Sequence, residues 1–387
     1  MAALSPRPQR PSIHLWQRRC NQRALRKLRP PPVTNGGYEP PLRDMKPIAR
    51  ACPRKSKHLR ASTGKCYITP MPSDNLNDGW VYHDRIQPDG HGLTVLDFYA
   101  QRYRHSSREA WHARIVSGEI LLEGQRTAPD EVLTTGQTLA YHRQPWTEPD
   151  APTSFAVLYR DEHVLAVAKP SGLPVLPGGG HLQNTLLASL RRRFGEDPAP
   201  IHRLGRGTSG VMLFARSDVA KHRLSEDLSN GRLTKIYLAL ACGADLPDRF
   251  TVDTPIGRVP YPEIQYVYAA DPAGKPSRSE CRVLHRYPDQ NRSVVQVQII
   301  TGRPHQIRIH LAATGHPLVD DPLYAPGGTP LPIPKGARVP MPGDVGYHLH
   351  AHRITFPHPV ADRSVTVVCL PPPILRVPDQ RGAHAPR

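Results

Sequence analysis

The chain has 387 residues, enough for two or three domains with real cores. No apolar run approaches the ~18 residues of a membrane helix, and no apolar segment follows the basic start, which excludes a transmembrane helix and a secretory signal. The net charge is +18, but residues 1–73 hold 16 of the 51 basic residues against only Glu39 and Asp44, so the polycation is the N-terminal stretch.

That stretch carries Pro30-Pro31-Pro32 and no sustained apolar period, and reads as a disordered tail over 1–78. It offers phosphate contacts that are sequence-independent and salt-dependent. Its first 38 residues contain seven Arg, one Lys and no acid, as in an organelle transit peptide, but only two Ser. The expected compartment is the cytoplasm, with mitochondrion or plastid as the alternative if residues 1–38 are such a peptide. The six cysteines show no CxxC spacing and read as reduced thiols.

Order begins near Trp80. Within Leu93–Tyr103, Val95, Leu96, Phe98 and Tyr99 share one helical face. Ser106 and Glu109 have S-x-x-E spacing, which predicts a second helix capped at Ser106 and stopped at Gly118. Two short strands follow, turning at Gly124, and then a strand over Gln137–His142. Glu148-Pro149-Asp150-Ala151-Pro152 reads as a linker. The predicted layout is a small module over 79–147, a main domain over 153–372 and a disordered tail over 373–387. In the main domain Val157–Tyr159, Val164–Ala168, Val211–Ala215, Lys235–Ala241, Ser293–Ile300 and Ala351–Phe356 read as strands, the last of them final. Helices are predicted over Asp218–Asn230, capped by Ser217, and over Pro304–Thr314, with Pro304 in its first turn and Gly315 beyond its end. The pattern is α+β and sheet-dominated.

His202–Gly210 (HRLGRGTSG) contains a formal G-x-G-x-x-G. A strand-like VMLFA follows where a dinucleotide fold needs a helix, so that match is rejected. The loop could approach a phosphate closely or be an ordinary turn. His305 and Arg308 share a face at a helix start, which suits an anion; a solvated polar face is the plain alternative. Lys235 and Tyr237 point the same way on their strand, and packing is the plain reading of Tyr237. His348, His350 and His352 would share a strand face, but without nearby cysteines or paired carboxylates they predict no metal.

HRLGRGTSG followed by VMLFARS resembles the HRLDxxTSG motif of RluA-type RNA pseudouridine synthases. DEHVLAVAKPSGLPV, LTKIYLALACG, TPIGR, GKPSRSECRVL, TGRPHQIRIHLAATGHPLVDDPLY and LHAHRITFPHP resemble further blocks of that family, in its order, over residues 155–370. Residues 90–145 resemble, more weakly, the S4-like RNA-binding module that often precedes it. The resemblance implies an α+β fold whose catalytic domain is a mixed, mainly antiparallel sheet with a central cleft. It implies isomerisation of uridine in rRNA or tRNA by base flipping, by a monomer using no cofactor and no metal. By motif, Arg203 would lie near the flipped base, Tyr237 would stack on uracil, and Arg308 would pair with the catalytic carboxylate. Leu204, Arg206, Thr208, Ser209 and Gly210 would shape the substrate loop, with Lys169, Lys235, Arg303, His305 and Gln306 around the nucleotide. Arg108 and Arg114 would be the module's RNA contacts.

Gly205 stands where the family has its catalytic aspartate, so Arg308 is expected to lack its partner. A subgroup of the family that includes plant proteins carries the same HRLG form and is still classed with the synthases. Three readings follow: a synthase with a variant site, a non-catalytic RNA-binding or ribosome-assembly factor, or a hydrolase or transferase reusing the cleft. The retained Tyr237, Arg308 and TSG favour the first, and Gly205→Asp is expected to raise activity if the rest of the pocket is intact. Deleting residues 1–73 is expected to weaken RNA affinity mainly at low salt. Equal affinity with and without them across a salt series would remove that role.

Overall fold

The computed structural model describes residues 76–195 and 198–378. Nearly all of the basic tail, and with it Cys20, Cys52 and Cys66, lies outside the described residues. No helix among them is long and apolar enough to cross a membrane.

The first part is a four-stranded antiparallel sheet carrying two helices. Its strands are β1 (Trp80–Arg85), β2 (Ile120–Leu122), β3 (Gln125–Arg126) and β4 (Thr138–Arg143), in the order β1-β4-β2-β3. The helices are α1 (Val95–Arg102) and α2 (Arg108–Val116). Val95, Phe98, Tyr99, Trp111, Ile115, Leu139 and Tyr141 form the core between them. Both helices start at a hydroxyl that accepts a backbone N–H: Thr94 from Asp97 (3.1 Å) and Ser107 from Ala110 (3.2 Å). The cap is therefore Ser107 and not Ser106, whose hydroxyl accepts from Arg114 Nη1 (2.9 Å).

The stretch read as a linker is a lock. Glu148 is buried and accepts the N–H groups of Leu182, Gln183 and Asn184 at 2.8–2.9 Å, plus the Asn77 amide at 2.9 Å. Burial pushes its pKa up, but these donors outweigh burial and hold it below the ordinary value. Trp146 adds an indole N–H to the Gly180 carbonyl (2.7 Å).

The main domain is one ten-stranded sheet. Its spine runs β10 (Arg249–Val252), β13 (Ser279–Tyr287), β14 (Arg292–Ile299), β9 (Thr234–Cys242), β15 (Leu349–Pro357), β8 (Ser209–Ala215), β6 (Val164–Lys169), β5 (Ala156–Arg160). β16 (Ser364–Val368) pairs with β15, and β7 (Ala199–Pro200) with β8. The β8–β15 pair is parallel and the other strand pairs among the described residues are antiparallel, so the sheet is mixed and mainly antiparallel as expected. Helices α3 (Leu186–Phe194), α4 (Asp218–Ser229) and α5 (Gln306–Ala313) complete the domain. A separate hairpin, β11 (Ile256–Tyr261) and β12 (Ile264–Ala270), buries Ile256, Tyr261 and Val267 against Ile309 and Ala312 of α5.

Several expectations change. Ala351–Phe356 is not the last strand, because Ser364–Val368 follows and pairs with it. The α5 helix starts at Gln306, after His305 in the left-handed region (φ +56), so Pro304 precedes the helix instead of opening it. The expected C-terminal tail begins later than residue 373, since Leu375 is buried against Leu238, Leu240 and Val294.

Register brings the chemistry together. Ala351 of β15 pairs with Gly210 of β8 on one side and Tyr237 of β9 on the other. Gly210 has φ +116, and a β-carbon there would lie 2.2 Å from the Ala351 carbonyl oxygen. Gly210→Ala is therefore expected to cost about 3 kcal/mol or more. Urea unfolding with an unchanged midpoint would contradict this.

Candidate active site

A cleft of about 1170 Å³ opens where these strand ends meet the β11–β12 hairpin and the start of α5. Of the sequence-predicted residues, Arg203, Leu204, Gly205, Arg206, Thr208, Lys235, Tyr237, Arg303, His305, Gln306 and Arg308 line it. Ser209, Gly210 and Lys169 do not. Ser209 gives its hydroxyl to His350 Nδ1 (2.9 Å), and Gly210 serves strand packing. Lys169 lies under the loop, where its ammonium donates to the carbonyls of Pro170, Leu173 and Arg206 at 2.7–3.1 Å. Burial, then the neighbouring Arg206, pushes its pKa down to about 7, although three carbonyl acceptors match the three N–H of the charged form.

Arg108 and Arg114 are also elsewhere. Arg108 pairs with Asp97 (2.6 Å), and Arg114 stacks on Trp111 at 4.5 Å. The N-terminal module reaches the cleft instead through Arg102, Tyr103, Arg104 and His105, at the end of α1 and just beyond. Nothing in their local spacing distinguished them from a solvated helix end.

Arg308 has a partner after all. Its Nε and Nη2 each meet an Asp321 carboxylate oxygen at 2.7 Å, with side-chain exposures of 2% and 0%. Burial alone would lower the arginine's pKa, but the bond and charge of Asp321 raise it, so the guanidinium stays charged. Tyr347 and Tyr324 lie 4.2 and 4.9 Å from its central carbon. Nη1 also reaches the Pro342 carbonyl at 3.4 Å. Three of its five N–H donors are thus engaged, and the other two, on a side chain that lines the cleft, have no acceptor among the described residues. Asp321 also accepts the N–H groups of Leu323 (2.9 Å) and Tyr324 (3.2 Å), which fixes the turn carrying Tyr324.

That turn sets the tautomer of His305. The Tyr324 hydroxyl donates its single proton to the Tyr268 carbonyl (2.7 Å), so it accepts from His305 Nδ1 (2.7 Å). Nε2 is then a lone-pair acceptor, and no described residue bonds to it. Burial first, then Arg308 and Arg203, pushes its pKa down to about 3. Gln306 borders the cleft but spends its amide on the turn: Oε1 accepts from Thr301 and the Arg303 N–H, and Nε2 donates to Arg278 O and Ser279 Oγ. The grouped imidazoles have partners of their own: His350 and His352 both meet the Cys369 carbonyl.

Tyr237 is buried, which raises its pKa, and its hydroxyl has no partner among the described residues. Lys235, two residues before it, is likewise unpartnered, with its pKa lowered by burial. At Gly205 a β-carbon would lie 3.0 Å from the Tyr347 hydroxyl. An aspartate there needs Tyr347 to move, so Gly205→Asp alone no longer follows as a gain of activity.

The model of the RNA pseudouridylate synthase family matches residues 163–313. The chain is 44% identical to an uncharacterised RNA pseudouridine synthase of Synechocystis, over 74% of this chain and 96% of that protein. It is 41% identical to RNA pseudouridine synthase 5 of Arabidopsis thaliana, over 79% and 96% respectively. The chain belongs to the RNA pseudouridine synthase family. To ribosomal large subunit pseudouridine synthase D of Xanthomonas campestris, another family member, it is 35% identical, over 69% and 82%. In this synthase the cleft is strongly cationic. Among the described residues Arg102, Arg104, Arg203, Arg206, Lys235, Arg303 and Arg308 line it against one carboxylate, Glu263.

Three imidazoles, the buried His310 and the half-buried His202 and His305, make stability sensitive to acid. Burial is the first cause in each case, and it takes His202 and His305 to about 3 and His310 to about 4. Their folded pKa values lie below the unfolded value, so the unfolded chain binds more protons between those limits. Stability is expected to be full above pH ~6.5 and to fall below it, with a slope of at most about 1.4 kcal/mol per pH unit per histidine. Urea unfolding at pH 5 and pH 7.5 checks this; equal stability at both would contradict it.

Proposed function

We propose that the protein converts uridine to pseudouridine in structured RNA, flipping the target base into the cleft without cofactor or metal. The observation that supports this reading is the pocket lining: Tyr237, whose hydroxyl has no partner among the described residues, and Arg308, with two donors left over, line a cleft whose cations outnumber its carboxylates. A module that only held RNA would need the cations, but not a buried arginine fixed by a buried aspartate. Arg203 is exposed and unpartnered among the described residues, and would enter the space left by the flipped nucleotide. Tyr237 would stack on the uracil. His305 Nε2, a lone-pair acceptor in this tautomer, would accept the uracil N3–H, which cytosine lacks.

The N-terminal module would engage RNA through Arg102 and Arg104, and the basic residues 1–73 would add salt-dependent phosphate contacts. One relative is named for the large ribosomal subunit, which makes ribosomal RNA the first substrate to try, with transfer RNA second. The direct test is tritium release from RNA labelled at uracil C5, with the full chain. Release is expected, and Tyr237→Phe is expected to slow it by about 10²-fold or more. No release on ribosomal or transfer RNA, alongside measurable binding, would favour the RNA-binding factor that Gly205 also suggests.

A further inference from the structure

We propose that the phenol oxygen of Tyr347 attacks the sugar in this site, in place of the carboxylate that Gly205 lacks. This rests on the synthase reading above. Tyr347 is 4% exposed, lines the cleft, and lies two residues before β15. Its hydroxyl is 3.3 Å from Thr208 Oγ1. A β-carbon on Gly205 would meet that oxygen at 3.0 Å, and one on Gly207 would meet the ring at 2.9 Å. The phenol therefore fills the volume into which a side chain at 205 would project. The two glycines and the tyrosine fit one another.

Carboxylates do not compete well for the role. Asp321 is fully buried, with both oxygens on Arg308. Glu263, the one carboxylate on the cleft wall among the described residues, sits on the exposed β11–β12 turn. A phenol is a competent covalent nucleophile, and sialidases use one at an anomeric carbon where most glycosidases use a carboxylate.

The step balances without a further reactant. The Tyr347 oxygen bonds to C1′ as the C1′–N1 bond breaks, its electron pair leaving with uracil and the phenol proton passing to that leaving group. After the ring turns, its C5=C6 π pair forms the C5–C1′ bond as the C1′–oxygen bond breaks. The C5 hydrogen then leaves as a proton, its bonding pair restores the double bond, and the phenol oxygen regains a proton.

Tyr347→Phe removes the oxygen and keeps the ring on Gly207 and Arg308, so a purely structural role would leave it active. In the C5-tritium assay this variant is expected to lose about 10³-fold or more in rate. Its RNA affinity and thermal midpoint are expected to stay close to wild type. The double variant Gly205→Asp/Tyr347→Phe supplies a carboxylate without the competing hydroxyl and is expected to recover at least about 10-fold of that loss. Wild-type release with an equally active Tyr347→Phe overturns the assignment while leaving the synthase reading intact. So does a Glu263→Gln loss of the same size with Tyr347→Phe active. No release by the wild type on any RNA overturns the synthase reading itself.

Discussion

The site depends on one buried ion pair. Arg308 and Asp321 are almost wholly out of water, so each charge would be costly alone, and removing one partner of such a pair costs about 3–5 kcal/mol. Their two bonds fix the guanidinium plane within cation–π reach of both Tyr324 and Tyr347. The same carboxylate fixes the turn that carries Tyr324, and Tyr324 decides which nitrogen of His305 holds the proton. One aspartate, thirteen residues along the chain from its arginine, therefore orients an arginine, a tyrosine and a histidine around one cleft.

The sheet supplies the frame. β15 lies between β8 and β9, so the loop before Ser209 and the Lys235–Tyr237 segment open on the same side. Gly210 permits the close approach of β8 to β15 that this requires. Lys169, under the loop, ties its Arg206 carbonyl to the Pro170 and Leu173 carbonyls of the turn that follows β6. The N-terminal module is bolted on by Glu148 and Trp146, and brings Arg102 and Arg104 to the cleft wall. The positive field over the cleft thus comes from both parts of the molecule.

Much of this was legible where a local rule had a single physical reading. The α4 helix, capped by Ser217 with Gly231 beyond it, needs only its own sequence. The apolar runs at Val164 and Val211 could hardly be anything but buried strands. The α3 helix was missed although Thr185 caps it, Gly195 ends it and Leu186, Leu187 and Leu190 form its buried face, because it is short and three arginines interrupt the apolar run before Phe194. β10, β12 and β13 alternate exposed and buried residues around polar side chains that hide the period. In the site, motif spacing pointed to Arg308, Tyr237 and Lys235, whose chemistry is local. It could not point to Asp321 or Tyr347 as the neighbours of Arg308, because those contacts close only in the folded chain. Glu148 was misread for the same reason: an acid among prolines resembles a linker until its four donors, each more than thirty residues away, are in place.

The account's central claim is that Arg308, locked by Asp321, is the fixed point of a working pocket. Arg308→Lys keeps the charge but cannot fork across a carboxylate or present a planar cation to two rings. C5-tritium release by that variant, normalised to the folded fraction from circular dichroism, is the most direct measurement. The account expects a loss of about 10²-fold or more, since a cation misplaced by an ångström orients nothing. Release equal to the wild type would contradict it.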